Sequence, residues 1–313
     1  MSGRHTPMGD GAEFDLIRSM LGVWKDAARD IGDDAAILSP PVGEKLCIST
    51  DTFIEGVHFR PEWMSAEEIG GKAAAAALSD LAAMAARPMG LLLALAAPNN
   101  WRGRFLDLAR GLAAVATRVG CPIIGGNTSR AERLSLTCTV VGRSPAPLRR
   151  SGARVGDLLY VTGTLGNQAV ALAALETGHA LTSAQRQRFV APVPRVAEAL
   201  WLAERGATAA VDISDGLLAD ARHLASASGT SIDLVLASIP LAEGATRSDA
   251  LASGEEYELL LAFPADASPD CAAFREEFDI PLTRVGTVHA RVEALVAIDG
   301  DPHLNRSGFT HFR

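Results

Sequence analysis

Aromatic residues are scarce in this 313-residue chain. Phe, Tyr and Trp make up 5%, so any core must be built from Ala, Leu and Val. Cysteine is equally thin. Cys47, Cys121, Cys138 and Cys271 are widely spaced, with no Cys-x-x-Cys pair, which argues against a zinc framework or disulfide scaffold and for free buried thiols in strand-like runs of a reducing cytoplasm. Basic charge is in deficit. Lys+Arg is 29 against Asp+Glu 37, a net charge of −8. Nucleic acid is thereby disfavoured as a partner, because its binders displace counterions with a basic stripe. No apolar run approaches the ~20 residues of a membrane helix, and Met1 to Phe14 lacks the apolar core of a secretion signal, so no membrane association is expected. Three common chemical signatures are also missing: the Gly-x-x-x-x-Gly-Lys-Ser/Thr loop, Gly-x-Gly-x-x-Gly, and the Gly-x-Ser-x-Gly elbow.

What remains is a chain of about two domains by length, 48% hydrophobic, in which short apolar runs alternate with longer helical ones. Lys45 to Ser49 reads as a strand entering Thr50-Asp51-Thr52. Ser65 with Glu68 is a capping-box pattern opening a helix through Lys72, Leu78 and Met84 that stops before Pro88. Met89 to Ala96 is a strand by length, Trp101 to Val119 a helix, and Leu134 to Val141 a strand. Ser144-Pro145-Ala146-Pro147 then interrupts any ladder, since proline donates no backbone hydrogen bond. The boundary is placed there, giving domains 1–144 and 145–313. Beyond it, strands are expected over Asp157 to Thr162, Ala207 to Ile213, Ile232 to Ala237, Tyr257 to Phe263, Leu282 to Val288 and Val292 to Ile298. Helices are expected over Gly166 to Leu175, Arg195 to Glu204 and Gly216 to Ala227. The class is α/β, or α+β layers, in two domains.

The chemistry-bearing residues are carboxylates in apolar or glycine-flanked places: Asp33 and Asp34, Asp51 at a strand end, Asp80 within an Ala/Leu-rich helix, and Asp212 and Asp215 about a strand-to-helix turn. Asp33 and Asp34 also read as a surface turn, and Asp215 as an N-cap. Asp80 is harder to place, because burying a lone carboxylate costs several kcal/mol. It faces water or a cation. Carboxylates that converge repel, and an oxygen-only donor set selects Mg²⁺, Mn²⁺ or Ca²⁺ over zinc. Phosphates fit beside such ions. Gly125-Gly126-Asn127-Thr128 and Gly163-Thr164-Leu165-Gly166 are candidate cradles, the second because it opens a helix, although each also reads as a plain turn. Arg143, Arg149 and Arg150 read either as phosphate partners or as a solvated face. His58 alone reads equally as packed or as a contact.

Taken in order, Ile31-Gly32-Asp33-Asp34-Ala35-Ala36, Ser49 to Phe59, Leu78 to Met84, Gly125 to Thr128, Arg150 to Ala153, Val161-Thr162-Gly163, Asp212 to Leu217, Gly254 to Leu259 and Gly308 to Phe312 resemble the motifs of the thiamine-monophosphate kinase family across nearly the whole chain. The resemblance implies the two-domain fold of aminoimidazole ribonucleotide synthetase, a homodimer built on the N-terminal sheets, and ATP in a cleft between domains. It implies direct γ-phosphoryl transfer from ATP to thiamine monophosphate, assisted by several Mg²⁺ ions, without a phosphoenzyme. On this likeness Asp33, Ser49, Thr50, Asp51, Asp80, Asn127, Asp212 and Asp215 match metal positions. Gly126, Asn127, Arg150 and Ser214 match nucleotide contacts, and His58, Glu255 and Phe309 match substrate contacts. The sequence departs from the pattern at Asn127, where the family has Asp, and at Ser253 and Glu256, where it has Gly and Asp. The same scaffold serves synthetases and a hydrogenase maturation factor, so another substrate, or a weakened nucleotide-binding relative, is the alternative.

Overall fold

The computed structural model describes residues 12–31 and 35–301. They divide into two units. One runs to Leu81 and resumes over Ala86–Ala146; the other takes Ala82–Ala85 and the chain from Pro147 onward.

The first unit contains α1 (Ala12–Trp24), β1 (Lys45–Ile54), α2 (Ala66–Ala83), β2 (Arg87–Ala97), α3 (Phe105–Arg118), β3 (Ile123–Arg130) and β4 (Ser135–Ser144). Its sheet runs β1-β4-β2-β3. The β1/β4 and β4/β2 pairs are antiparallel, and β2/β3 is parallel. β1 alternates cleanly: Cys47 and Phe53 are buried, whereas Leu46, Ile48, Thr50 and Thr52 are exposed. The Ser65/Glu68 capping box forms as expected, with the Ser65 N–H donating to Glu68 at 2.7 Å and the Glu68 N–H to the Ser65 hydroxyl at 3.3 Å. Small residues let the helices touch through their backbones. A Cβ on Gly70 would lie 2.0 Å from the Leu108 carbonyl, and one on Gly111 would lie 1.7 Å from that of Glu67. A chain poor in rings packs its helices this way.

The second unit contains β5 (Leu158–Thr162), α4 (Asn167–Glu176), α5 (Ser183–Val190), α6 (Val196–Ala203), β6 (Ala209–Asp212), α7 (Leu217–Ser228), β7 (Thr230–Leu234), α8 (Arg247–Ala252), β8 (Leu259–Phe263), α9 (Cys271–Phe278), β9 (Leu282–Ala290) and β10 (Val296–Ile298). Its sheet order is β10-β7-β9-β5-β8-β6. All pairs are antiparallel except β10/β7. Leu159, Val161, Val211, Leu224, Leu260 and Val285 pack in one core between this sheet and α7.

Several expectations need correction. Gly125 to Thr128 is not a loop but part of β3, whose ladder with β2 slips at Leu91/Leu92 and so hides the strand pattern. The expected strand to Ala237 ends at Leu234 and gives way to a short 3₁₀ turn. The chain before Phe105 is likewise 3₁₀ rather than α. Cys121 and Cys271 lie outside strands, the latter opening α9 and only partly buried. None of the four cysteines forms a disulfide, and burial pushes Cys121 and Cys138 up to about 12, which keeps them protonated and unreactive. Among the described residues no helix is long and apolar enough to cross a membrane.

Candidate active site

In the first unit the structure brings Ser49, Asp51 and Asp80 together. Odd-numbered residues of β1 point to the covered side of the sheet, and Asp80 comes from the last turn of α2 on that side. The Ser49 hydroxyl donates a short hydrogen bond to the Asp80 carboxylate. Asp51, half-buried, is pushed up to about 6, first by burial and then by the Asp80 charge. Two carboxylates thus share a partly dry face, the arrangement a cation relieves. Thr50 does not join them. Strand alternation turns it outward, where its hydroxyl pairs with Thr139 at 3.0 Å, as Thr52 pairs with Thr137 at 3.0 Å. Gly126 and Asn127 are exposed on β3, opposite Leu93 and Ala94, in rows that continue from Asp51 and Thr52 across the sheet. The hydroxyl of Thr50 is therefore not assembled with the Asp51–Asp80 pair.

His58 lies on the turn after β1. Its Nδ1 accepts the Ile54 N–H at 3.0 Å, and its ring lies 5.4 Å from Phe53. In the neutral imidazole that acceptance leaves the proton on Nε2. Arg143 is engaged by Glu44 at 2.6 Å and 2.7 Å, which accounts for its charge without a phosphate. Arg149 and Arg150 are exposed.

In the second unit β6 delivers Asp212, 2% exposed, at the entrance of a tight turn. One oxygen of Asp220, a residue the motif reading passed over, accepts the N–H groups of Ser214, Asp215 and Gly216 at 3.1, 3.0 and 3.1 Å. Its position in the first turn of α7 makes it an internal cap. Burial, then the charges of Asp212 and Asp215, push Asp220 up to about 8. Asp215, Asp220 and His223 place one potential ligand atom each within 4.8 Å of one another. A second turn is pinned to the first: the Glu255 N–H donates to the Ser214 carbonyl at 2.7 Å, and that of Tyr257 to Ile213 at 2.9 Å. Glu255 and Tyr257 hold φ of 57° and 52°. A non-glycine residue pays roughly 1 kcal/mol or more in that region, and such strain concentrates at functional sites. Asp212, Ser214, Asp215 and Glu255 are thus neighbours, as the motif spacing alone did not show. Asp33 and Phe309 lie outside the described residues.

The expected phosphate cradle at Gly163 to Gly166 is corrected. The acceptors at the start of α4 are the chain's own: Glu256 accepts the N–H groups of Gly166 at 2.8 Å and Gln168 at 3.2 Å, and the Ser253 hydroxyl accepts that of Ala169 at 3.0 Å. The two departures from the family pattern, Ser253 and Glu256, together cap one helix. Burial pushes Glu256 up to about 7 from an ordinary 4.5. Because the folded value is the higher one, the stability this group contributes is fully present below pH 4.5 and is lost as pH rises through 7. Glu256→Gln is expected to remove that component, roughly 3 kcal/mol across the window. Denaturation midpoints of both proteins against pH check it; parallel curves would refute the assignment.

The fold and its two aspartate clusters define an AIR synthase-like protein. The family model for the AIR synthase related protein N-terminal domain matches residues 32–144, and that for the C-terminal domain matches residues 154–297. The chain is 35% identical over 319 residues to thiamine-monophosphate kinase of Salmonella typhimurium, covering 96% of this chain and 95% of that one. It is 32% identical over 328 residues to that of Bacillus subtilis, covering 96% and 99%. The crystal structure of thiamine-monophosphate kinase from Stenotrophomonas maltophilia K279a superimposes with a TM-score of 0.82 at 36% identity, covering 96% and 98%. AaThiL complexed with AMPPCP and TMP does so at 0.79 and 30%, covering 96% of each chain. Hydrogenase maturation protein HypE in complex with ATP, 20% identical with a TM-score of 0.75, shares the fold alone. The chain belongs to the thiamine-monophosphate kinase family, and its activity is that of a kinase.

Proposed function

We propose that this chain transfers the γ-phosphoryl of ATP to the phosphate of thiamine monophosphate, yielding thiamine diphosphate by direct displacement with Mg²⁺. The observation that carries the reading is the Asp51–Asp80 pair: two carboxylates on one covered face, oriented by Ser49, with Asp51 raised by burial and by Asp80. The ligand complex of AaThiL with AMPPCP and TMP supplies the substrate class.

Each acidic pair fits a hard divalent cation, since it offers oxygen alone: Asp51 and Asp80 in the first unit, and Asp212 and Asp215 in the second. We assign Mg²⁺ ions to each pair, with Asp33 as a further candidate. When bound, such ions neutralise charge on phosphates. The remaining work belongs to the chain. Ser49 holds Asp80 in one orientation. Asp220 shapes the turn carrying Ser214 and Asp215. The Nε2 proton of His58 suits a phosphate oxygen, and Glu255 offers a carboxylate that suits the cationic thiazolium ring. Phe309 remains the candidate for stacking on that ring. We assign ATP contacts to Gly126, Asn127, Arg150 and Ser214. No strong general base is required, because the attacking phosphate oxygen is already an anion.

We also infer a cytoplasmic homodimer. The outer face of the N-terminal sheet presents Leu46, 46% exposed, and Ile48, 66% exposed, beside Thr50 and Thr52, an apolar strip of the kind that partners cover.

The test is a product assay. Protein, Mg²⁺, ATP and thiamine monophosphate are expected to give thiamine diphosphate by chromatography, with free thiamine unreacted, and the same preparation is expected to sediment at the mass of two chains. If no product forms but Asn127→Asp restores it, the protein is a weakened kinase. If neither forms product, the substrate assignment falls. A single-chain mass would refute the dimer.

A further inference from the structure

The second unit holds a buried charge cluster that the assigned metal, nucleotide and substrate contacts leave unused. Glu258 is 1% exposed. Arg195 grips it with two bonds, Nε to Oε2 at 2.8 Å and NH2 to Oε1 at 2.6 Å. Arg188 adds a bond to Oε1 at 3.1 Å, and the Thr162 hydroxyl donates to Oε2 at 2.7 Å. Gly163 leaves room for the carboxylate, since a Cβ there would fall 2.2 Å from Oε1. Three helix or strand segments, β5, α5 and the start of α6, therefore close on one side chain.

The backbone of the same residue reaches the other way. The Glu258 carbonyl accepts the Ile213 N–H at 2.7 Å, inside the Asp212–Asp215 turn. Immediately before it lie the left-handed Glu255 and Tyr257, bonded to Ser214 and Ile213. The two turns approach closely on both sides. A Cβ on Gly254 would lie 2.7 Å from the Ser214 carbonyl oxygen, and one on Gly216 would lie 2.9 Å from the Ala252 carbonyl carbon. Strained backbone of this kind persists only when its surroundings over-determine it. A buried ion pair is a poor source of net stability compared with apolar side chains of equal volume, whereas a two-point guanidinium grip fixes a carboxylate in direction as well as place. Fixing Glu258 fixes where Ile213 and Tyr257 are held.

We infer that Glu258 is a positioning residue: clamped by Arg195, Arg188 and Thr162, it holds the Gly254–Tyr257 turn against the Asp212–Asp215 turn, so that the Glu255 carboxylate that would meet the substrate and the carboxylates of Asp212 and Asp215 are presented on one rigid edge. This rests on the roles proposed above for Glu255, Asp212 and Asp215. A group 1% exposed is not itself a contact for substrate; it acts through its neighbours.

Glu258→Gln in the full-length protein tests it through two readouts. Amide hydrogen exchange at Ile213, Glu255 and Tyr257 is expected to accelerate about tenfold relative to the amides of α7. The KM for thiamine monophosphate is expected to rise about tenfold or more, with a smaller change in kcat. A merely structural pair would lower the melting temperature and leave KM unchanged. Should Glu258→Gln fail to fold, Arg188→Met loosens the same carboxylate from its half-exposed side and is expected to move both readouts in the same direction by about threefold. Unchanged exchange at the three amides, or faster exchange with unchanged KM, would overturn the inference. The exchange readout needs no substrate. Loss of the kinase reading therefore shows as an inactive parent protein, while failure of the clamp shows in the exchange.

Discussion

Asp80→Asn is expected to leave the protein folded and to lower kcat by about a thousandfold or more. Asn keeps the shape of Asp and still offers an oxygen to the Ser49 hydroxyl, so the α2–β1 contact survives. What disappears is one of two carboxylates on a half-buried face. With it goes the second of the two causes that raise Asp51, so Asp51 should titrate closer to an ordinary carboxylate, with burial still holding it above. The transition state for phosphoryl transfer between two anions depends on charge neutralisation more than on covalent chemistry, which is why a single lost ligand should weigh so heavily. Steady-state turnover with circular dichroism on the same sample checks it, and Asp212→Asn should behave alike. A folded Asp80→Asn protein with near-parental turnover would remove the metal assignment.

Arg195→Ala is expected to produce the largest loss of stability, about 3–5 kcal/mol. Burial lowers the Arg195 pKa, and the Glu258 carboxylate, with Glu198 at 3.1 Å, outweighs this and raises it above the ordinary arginine value. Deleting Arg195 removes the two-point grip on buried Glu258, leaving Arg188 as its remaining cation, and removes the Arg195–Glu198 pair. In a chain of this size that loss corresponds to a fall of roughly 10 °C in melting temperature. Chemical denaturation reads it directly. A change below about 1 kcal/mol would show that Arg188 and Thr162 suffice to hold Glu258.

Much of the fold was legible because its signals are local. Ser65 and Glu68 announce α2, and the Pro145–Pro147 run breaks the ladder after β4. Other local signals were present and passed over. Thr182 with Gln185, and Thr246 with Asp249, form capping boxes that open α5 and α8, and Asp270 caps α9. The site is a different matter. Side-chain alternation on β1 separates Thr50 from Ser49 and Asp51, a consequence of the strand that a motif reading ignores. The glycines of Gly125 to Thr128 suggested a phosphate loop, yet they serve a slipped register in β3. Gly166 opens a helix as expected, but its N–H meets Glu256, 90 residues along the chain. Glu258 and its partners Thr162, Arg188 and Arg195 are similarly distant from one another in sequence. Residues that carry charge chemistry were visible by type and setting; which of them meet is decided by long-range pairing that no spacing rule reports.

Direct transfer is tested by a rapid-quench experiment with ATP labelled in its γ-phosphate, thiamine monophosphate and Mg²⁺. Label is expected to pass straight into the terminal phosphate of thiamine diphosphate while the protein stays unlabelled at every time point. Label on the protein ahead of product, or label released only as inorganic phosphate, would contradict direct transfer between the two phosphates.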